Sequence, residues 1–347
     1  MTDLQTQPSP AASVVVVIAF FNGADTIERA LRSVFTQSVP ACEVVVVNDG
    51  SQPEELAALT VLADRYPITI VTQSNAGQGA ARNAGVAASS ASYICFLDQD
   101  DFYLPRHIED LAGAIPPEDP LLGFVYADLY EADAAGRIVL QGMLHGQAGQ
   151  HPKRSVVDML RHDMFVLPSA AIISRRAFEA VGGFDTQFRG YEDDDLFLRI
   201  FRAGFSNHFL DKCVTVWCIH GASTSYGLTM IRSRYRYFRK MVEMFPDEPL
   251  RSRYYLRDCL IPRFGGPFIE QCTMQALKGT HETRTEMNRM LSGYIDLLAA
   301  SPRIDRLYVL RLRMIGWILR SGFRPMLRLA ASALKLPGLK LLRKLYR

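Results

Sequence analysis

The sequence predicts an α/β protein with a doubly wound, mostly parallel sheet in three layers (αβα) and a helical C-terminal extension. Three observations predict this fold. Strand and helix patterns alternate through the first hundred residues, as parallel strands joined by crossover helices require. Residues 13–20 form a near-continuous β-branched run, typical of a strand buried on both faces. Beyond Thr229 the apolar residues recur only with the helical period.

The elements of the first hundred residues follow in order. Apolar residues recur at helical spacing over 27–35, and Asp25 followed by Glu28 predicts a capping box at the start of that helix. The second predicted strand ends in the turn sequence that begins at Asn48. The further predicted strands are 43–47, 68–72 and 93–97, and the further predicted helices are 54–65 and 79–91.

The pattern loosens after residue 101. Residues 124–130 and 137–140 predict a β-hairpin, residues 169–174 and 214–220 predict two more strands, and residues 193–203 predict a helix. These changes of pattern set the expected domain boundaries. They are a flexible segment 1–12, an α/β domain 13–227 with halves 13–101 and 102–227, and a helical, basic region 228–347.

Composition excludes several classes of protein. With 48% apolar and 22% charged residues, the chain is typical of a folded protein rather than a disordered or fibrous one. The six cysteines form no C-x-x-C pair and lie in apolar runs, so we expect reduced core thiols rather than disulfides or zinc. No apolar stretch reaches the length of about 18 residues that spans a bilayer, and residues 1–12 carry no Lys or Arg. We therefore expect a cytoplasmic protein.

The net charge of +3 hides an asymmetry between the body and the tail of the chain. Residues 303–347 carry twelve Lys and Arg against one acid, Asp305, which is a charge of +11. The preceding residues are therefore acidic, at −8. A basic tail on an acidic body favours an anionic partner surface, and nucleic acid and phospholipid headgroups both qualify on charge alone.

Three carboxylates follow the fourth predicted strand. Alternation along a strand puts Asp98 and Asp100 on one face, about 7 Å apart, with Asp101 next in the chain. Carboxylates this close repel each other unless a cation lies between them, and hard oxygen ligands favour Mg²⁺ or Mn²⁺. The alternative is a solvated acidic turn at the start of the next helix.

Two further polar residues are expected at the same sheet edge. Asp49 ends the second strand, where it either accepts a hydrogen bond from a nucleoside base or forms an Asx turn. Arg82 lies on a helix of small residues after the third strand. It either pairs with a diphosphate or holds Asp98 or Asp49 in place.

Four acids, Glu192–Asp195, begin a predicted helix. The helix dipole accounts for some of them, and a general base beside a reacting hydroxyl is the functional alternative. His220 ends a predicted strand and is either a metal ligand or an ordinary core or surface histidine.

Taken together and in this order, the motifs resemble the family-2 inverting glycosyltransferases of the GT-A fold. The resemblance covers roughly residues 13–227. The one departure noted is Ala19-Phe20-Phe21-Asn22, where that family more often has Pro-Thr-Tyr-Asn. The matching motifs are Asn48-Asp49-Gly50-Ser51, the Asn75–Gly85 segment, Phe96-Leu97-Asp98-x-Asp100-Asp101, Gly182-Gly183-Phe184-Asp185, Glu192-Asp193-x-Asp195-Leu196 and His220-x-x-Ser223.

The resemblance implies a nucleotide-sugar donor, a glycan or glycolipid acceptor and inversion at the anomeric carbon. Residues 13–101 would form the donor half and 102–227 the acceptor half. Asp193 would be the catalytic base, with Glu192 and Gly183 on the acceptor side. Asp100 would hold Mn²⁺ or Mg²⁺ with His220 as a possible second ligand. Donor contacts would come from Ala19, Phe21, Asn22, Asp49, Arg82 and Asp98, with Asp49 on the base, usually uracil.

The implied function is a metal-dependent transferase of surface polysaccharide biosynthesis. The alternatives are a nucleotide-sugar-binding protein without turnover, or a nucleotidyltransferase of related fold. In the tail, Leu307, Leu310, Met314 and Ile318 form an apolar stripe beside basic residues, which predicts peripheral binding to an anionic membrane at the inner face of the plasma membrane. A helix packed on the catalytic domain is the alternative. Few aromatic residues lie in the tail, so we expect no nucleic-acid partner.

Overall fold

The computed structural model describes residues 13–219, 227–321 and 325. These residues divide into two compact units. The first comprises residues 13–156 and 164–219, and the second comprises residues 157–163 and 227–321. The second unit thus takes a short segment from within the first half of the chain as well as the helical C-terminal region.

The first unit is built on a mixed sheet of nine described strands. Their order is β3-β2-β1-β4-β8-β6-β9-β5, with β7 paired to β6. Six of the nine run in the same direction, since only β5, β7 and β8 pair antiparallel to their neighbours. The strands are β1 Val14–Phe20, β2 Glu43–Asp49, β3 Thr69–Gln73, β4 Tyr93–Asp98, β5 Phe102–Tyr103, β6 Leu122–Asp133, β7 Ile138–Gln141, β8 Ala171–Ser174 and β9 Ser206–Ile219.

Helices cover both faces of this sheet. They are α1 Ala24–Phe35, α2 Pro53–Ala63, α3 Gln78–Ala87, α4 His107–Gly113, α6 Arg175–Ala180 and α7 Glu192–Arg202, whereas α5 Val156–Arg161 lies almost entirely in the second unit. On one face, Ile27 and Leu31 of α1 pack in a core cluster with Val16 and Ile18 of β1. On the other face, Gly85 of α3 lies against Val17 of the same strand. The doubly wound, three-layer fold is therefore confirmed.

The strand order reverses between β1 and β4. The chain builds β1, β2 and β3 outward in one direction and then returns to place β4 on the opposite side of β1, all in parallel. Loops that follow neighbouring parallel strands diverge at such a point and leave a crevice beyond the carboxyl ends of the strands. This crevice is where the polar residues of the sequence motifs collect.

Several predicted element boundaries need correction. The capping box at Asp25 is wrong, because α1 begins two residues earlier, with Gly23 as its N-cap and no side-chain cap bond. The amide N–H of Ala24 instead donates to Glu55 of α2, at 2.8 Å. The predicted strand 169–174 begins as a 3₁₀ turn, Pro168–Ala170, and only its second half is β8. The predicted hairpin is present, with β6 extended to twelve residues.

The second unit is helical, as the period of the sequence predicts. Its helices are α8 Leu228–Met244, α9 Gly266–Lys278, α10 His281–Ala300 and α11 Arg306–Ser321, with a π-helix at Leu256–Gly265. Within this unit Arg263 is buried and donates to Asp163 at 2.9 Å, which ties residues 157–163 to the C-terminal helices. None of the helices in the described residues is long and apolar enough to cross a membrane.

We predict that Gly85→Ala lowers the free energy of unfolding by about 1–3 kcal/mol, because a Cβ there would overlap Val17 and crowd Val47 in the core. Gly113→Ala is the matched control, since a Cβ at that position meets no atom within 4 Å. It should shift stability by no more than about 1 kcal/mol, toward greater stability. Urea unfolding of both variants measures the difference, and equal stabilities would contradict the packing of α3 on β1.

Candidate active site

The candidate site lies at the carboxyl ends of β1, β2 and β4. The sheet register pairs Ala19 with Asp98 and Phe20 with Asn48, so the ends of the three strands are level. Asp49, the last residue of β2, and Asp98, the last of β4, therefore flank the end of β1. The expectation that these residues share one sheet edge is confirmed.

Arg82 lies at the centre of the site. Its Nη2 donates to Oδ1 of Asp98 at 2.6 Å, and its Nη1 is 3.7 Å from Oε1 of Glu192. The guanidinium is 3% exposed and packs over the rings of Phe96 and Phe184 at 5.7 and 5.2 Å. Arg82 thus joins the carboxylate of Asp98, at the end of β4, to that of Glu192, at the start of α7.

Burial of Arg82 is compensated by charge. Burial by itself lowers the pKa of the guanidinium, but the carboxylates of Asp98 and Glu192 outweigh it and raise the pKa above its ordinary value. The arginine therefore stays cationic in an apolar surround. Asp98 is further fixed by Nε2 of Gln78, which donates to the same Oδ1 at 2.7 Å.

Asp49 is buried and accepts three hydrogen bonds from within the chain. Gln73 Nε2 and the amide of Ala76 donate to Oδ1 at 2.7 and 2.8 Å, and the amide of Gly77 donates to Oδ2 at 2.8 Å. The Asx turn at this corner is made by Asn48, whose Oδ1 accepts from the amide of Ser51. In this structure Asp49 therefore holds the loop that leads into α3.

The loop after β1 is fixed by side chains from two other loops. Gln99, the middle residue of the D-x-D sequence, accepts from the amide of Phe21 and donates to its carbonyl, at 2.9 and 3.2 Å. Asn22 adopts a positive φ of 48° and accepts through Oδ1 from the amide of Gln52. The Phe21 ring is 45% exposed at the edge of the crevice, where a planar ligand can reach it.

The carboxylates after β4 are crowded. Asp101 is buried and accepts from the amide of Cys218 through Oδ1, while its Oδ2 has no hydrogen-bond partner among the described residues. Burial and the charges of Asp98 and Asp100 raise the pKa of Asp101 well above its usual range. Arg29 donates to the carbonyl of Asp100 and lies over the ring of Phe102, so one cation already flanks this cluster.

At the start of α7 two acids stand in a desolvated environment. Tyr191 precedes them in the left-handed region, with φ of 67°, and makes no side-chain cap bond. Glu192 is buried, and burial raises its pKa. Burial and the neighbouring charge of Glu192 raise the pKa of Asp193 to about 6. A carboxyl group with such a pKa is suited to accept a proton near neutral pH.

Gly183 is held against α3 and α7. Its φ is 69°, and a Cβ there would overlap Oδ1 of Asn83 and crowd Phe178. Asn83 exchanges two hydrogen bonds of 2.9 Å with the backbone of Phe184. Arg199 donates to the carbonyl of Gly183 at 2.7 Å. The glycine thus sits in a rigid loop that places Phe184 over Arg82.

A divalent cation is implied by the family resemblance, and the residues present fit one. No group of three or more His, Cys, Asp or Glu in the described chain forms a preformed metal cage. Mg²⁺ commonly takes only one or two carboxylates and completes its shell with water and substrate phosphates. The crowded carboxylates at Asp98–Asp101, with an unpartnered buried oxygen on Asp101, favour a cation there. His220 lies outside the described residues.

The family profile described as "Glycosyl transferase family 2" matches residues 15–182, which include β1 to β4 and the motifs at their ends. The chain contains a glycosyl transferase family 2 domain. A second profile, described as "N-terminal domain of galactosyltransferase", matches residues 169–219 of the transferase. The expectation of an enzyme of the glycosyltransferase class is thereby confirmed.

Named relatives cover the transferase only in part. It is 29% identical over 191 residues to an uncharacterized glycosyltransferase, YwdF, of Bacillus subtilis, spanning 54% of this chain and 67% of that one. It is 27% identical over 213 residues to the chondroitin synthase of Pasteurella multocida, spanning 61% of this chain but 21% of that one. Over 107 residues it is 41% identical to the succinoglycan biosynthesis protein ExoO of Rhizobium meliloti, covering 29% and 31% of the two chains.

Solved structures support the fold of the transferase. The crystal structure of S. aureus TarS 1–349 in complex with UDP-GlcNAc is similar with a TM-score of 0.59 and 16% identity. The similarity covers 92% of this chain and 90% of that one. The GT-A fold expected from the motifs is confirmed.

Sequence reasoning missed several side chains that hold the transferase site together. Gln78, Asn83 and Gln99 each fix a predicted site residue or its backbone. Arg29 also escaped notice, since it lies on the polar side of α1 and its partner is a backbone carbonyl. The available signal was position: Asn83 follows Arg82 directly, and Gln99 lies inside the D-x-D sequence.

We predict that Arg82→Ala destabilises the protein by about 3–5 kcal/mol, because it leaves the carboxylates of Asp98 and Glu192 without their shared cation. Arg65→Ala is the matched control, since Arg65 pairs with Glu28 at 2.7 Å but both side chains are about half exposed. It should cost no more than about 1 kcal/mol. Denaturant titrations report both values, and a similar small cost for the two variants would disprove the central role of Arg82.

Proposed function

We propose that the protein is an inverting, metal-dependent transferase that moves a sugar from a UDP-sugar to a hydroxyl group of a glycan or lipid-linked glycan. The observation that carries this proposal is the placement of Arg82 between Asp98 and Glu192, which links a donor-side carboxylate to the acid directly before the candidate base Asp193. The UDP-GlcNAc named with TarS supports the donor class. The names of the chondroitin and succinoglycan relatives support a polysaccharide product.

On the donor side, the loop after β1 and the loop after β2 would enclose the nucleoside. The exposed ring of Phe21 supports stacking on a base, and Asn22 fixes the backbone of that loop together with Ala19 at the strand end. Asp49 has lone pairs left on Oδ2 after its bond to Gly77, which allows a contact to the uracil N–H. Arg82 and Asp98 would contact the ribose, diphosphate or sugar.

Asp100 would hold the divalent ion, Mn²⁺ or Mg²⁺, with His220 as second ligand. When bound, such an ion offsets the negative charge that develops on the departing diphosphate. Strand β9 supports this arrangement, since the amide of Cys218 donates to Asp101 and the strand ends at Ile219, one residue before His220.

The transfer step needs one proton acceptor on the acceptor side. Asp193 would take the proton of the acceptor hydroxyl as that oxygen forms its bond to the anomeric carbon. The bond from that carbon to the diphosphate oxygen breaks on the opposite face, so the configuration inverts. The charge of Glu192 would keep the pKa of Asp193 raised. Gly183 would shape the loop against which the acceptor lies. The working site of such an enzyme would be the cytoplasmic face of the plasma membrane, where residues 303–347 bind anionic lipid.

A donor screen tests the proposal. We expect release of UDP from one UDP-sugar with Mn²⁺ or Mg²⁺, loss of release with EDTA, and loss of release in Asp100→Asn. Asp211→Asn is the control and should behave as the parent, because the carboxylate of Asp211 is 70% exposed to solvent. GDP-, CDP- and TDP-sugars complete the panel. Absence of UDP binding by calorimetry together with silence across the panel would overturn the proposal.

A second prediction concerns Asp193. Asp193→Asn should reduce transfer by at least about a hundredfold with donor affinity nearly unchanged, because general-base catalysis contributes roughly that much. Since a base must be deprotonated and the pKa of Asp193 is raised to about 6, kcat/KM of the parent should fall as the pH drops through about 6.

Glu192→Gln separates the two acids. Removing the Glu192 charge lowers the pKa of Asp193, so the acid limb of the pH profile should move to lower pH. Loss of donor binding in Asp193→Asn, or an acid limb that Glu192→Gln leaves in place, would contradict these roles.

A further inference from the structure

Helix α11 carries apolar residues on two opposite faces. One face is buried within the second unit and includes Tyr308, Val309, Leu312 and Leu319. The other face is open: Leu307, Leu310, Met314 and Trp317 are 61%, 54%, 56% and 61% exposed. At 3.6 residues per turn, these four side chains project from the helix within an arc of about 80° around its axis. We refer to these four residues as the α11 stripe.

The stripe differs in part from the one expected from the sequence. Ile318 is only partly exposed and lies at its edge, while Trp317 takes the outer position. The helix is packed within its own unit and is also apolar on its outward side. Single exposed apolar side chains are ordinary, but a continuous row of four large ones marks a binding surface.

Arginines border the stripe. Arg306, Arg313 and Arg320 lie on one side of it and Arg311 on the other, all four exposed. No acidic residue occurs between Arg306 and Ser321. Apolar side chains flanked by cations, on a helix too short and too charged to cross a membrane, are typical of a helix that lies in the plane of a bilayer surface.

We propose that the α11 stripe inserts into the headgroup boundary of an anionic phospholipid membrane, with the bordering arginines on lipid phosphates. The inference builds on the proposed function, since a lipid-linked acceptor would be presented at that surface. A second copy of the chain fits less well, because a symmetric contact through this face would bring like-charged arginines together. Lipid phosphate instead complements them, and Trp317 is of the type that favours the membrane interface.

The test uses the full chain with vesicles of phosphatidylcholine alone or mixed with phosphatidylglycerol. We expect flotation with the mixed vesicles only and a blue shift of Trp317 emission. Leu310→Glu/Trp317→Glu should lower the partition coefficient at least about tenfold. Leu250→Glu, at a fully exposed leucine of the same unit, is the control and should bind as the parent.

The bordering arginines are tested in the same way. Arg306→Gln and Arg313→Gln should each lower the partition coefficient about fivefold, and Lys278→Gln on α9 should lower it much less.

Three results would overturn the inference. They are unchanged flotation of the double variant, equal binding of the parent to neutral vesicles, and a concentration-dependent dimer that the double variant abolishes. The last would assign the stripe to a second copy. Thermal unfolding of each variant verifies that it is folded. Release of UDP from the donor in free solution does not require a membrane, so it should survive in the double variant and separates this inference from the proposed activity.

Discussion

The buried guanidinium of Arg82 is the interaction on which the site depends. A charge in an apolar surround is tolerated only when it is paired, and Arg82 is paired on two sides, by Asp98 of β4 and Glu192 of α7. Because its helix also packs on β1 through Gly85, the arginine links β1 and β4 to α7, which comes much later in the chain. A shift of any one of them leaves an unpaired buried charge, so the geometry of the crevice is strongly constrained.

The loops around that ion pair are fixed by hydrogen bonds within the chain. Asp49 holds the turn into α3, Gln99 holds the backbone at Phe21, and Asn22 holds the turn into α2. Loops ordered in advance lose less conformational entropy when a ligand binds. This accounts for the polar side chains at the strand ends that form hydrogen bonds with backbone groups. Their first physical effect is to hold the crevice in shape, and a contact to a nucleotide would add to it.

Local patterns predicted the first half of the fold well because its elements are determined locally. The strands β1, β2 and β4 are runs of apolar residues, and α1 has a regular helical period, so these elements need no distant partner to be recognised. The site was predicted less completely. Asn83 meets Phe184 across 101 residues, and Asp101 meets Cys218 across 117. No local pattern contains such pairs, and for the same reason the bonding of Asp49 to Ala76 and Gly77 was not foreseen.

The acids at the start of α7 differ from what a helix dipole alone would produce. If they served only the helix dipole, their charged forms would be favoured and their pKa values lowered. Burial instead raises the pKa of both Glu192 and Asp193, and no side chain caps the helix. Tyr191 is held at a positive φ just before them, a conformation that costs about 1–3 kcal/mol. Strain and desolvation at one point of the chain both oppose stability, so the helix dipole alone does not account for these carboxylates, and the role proposed for Asp193 is consistent with their surroundings.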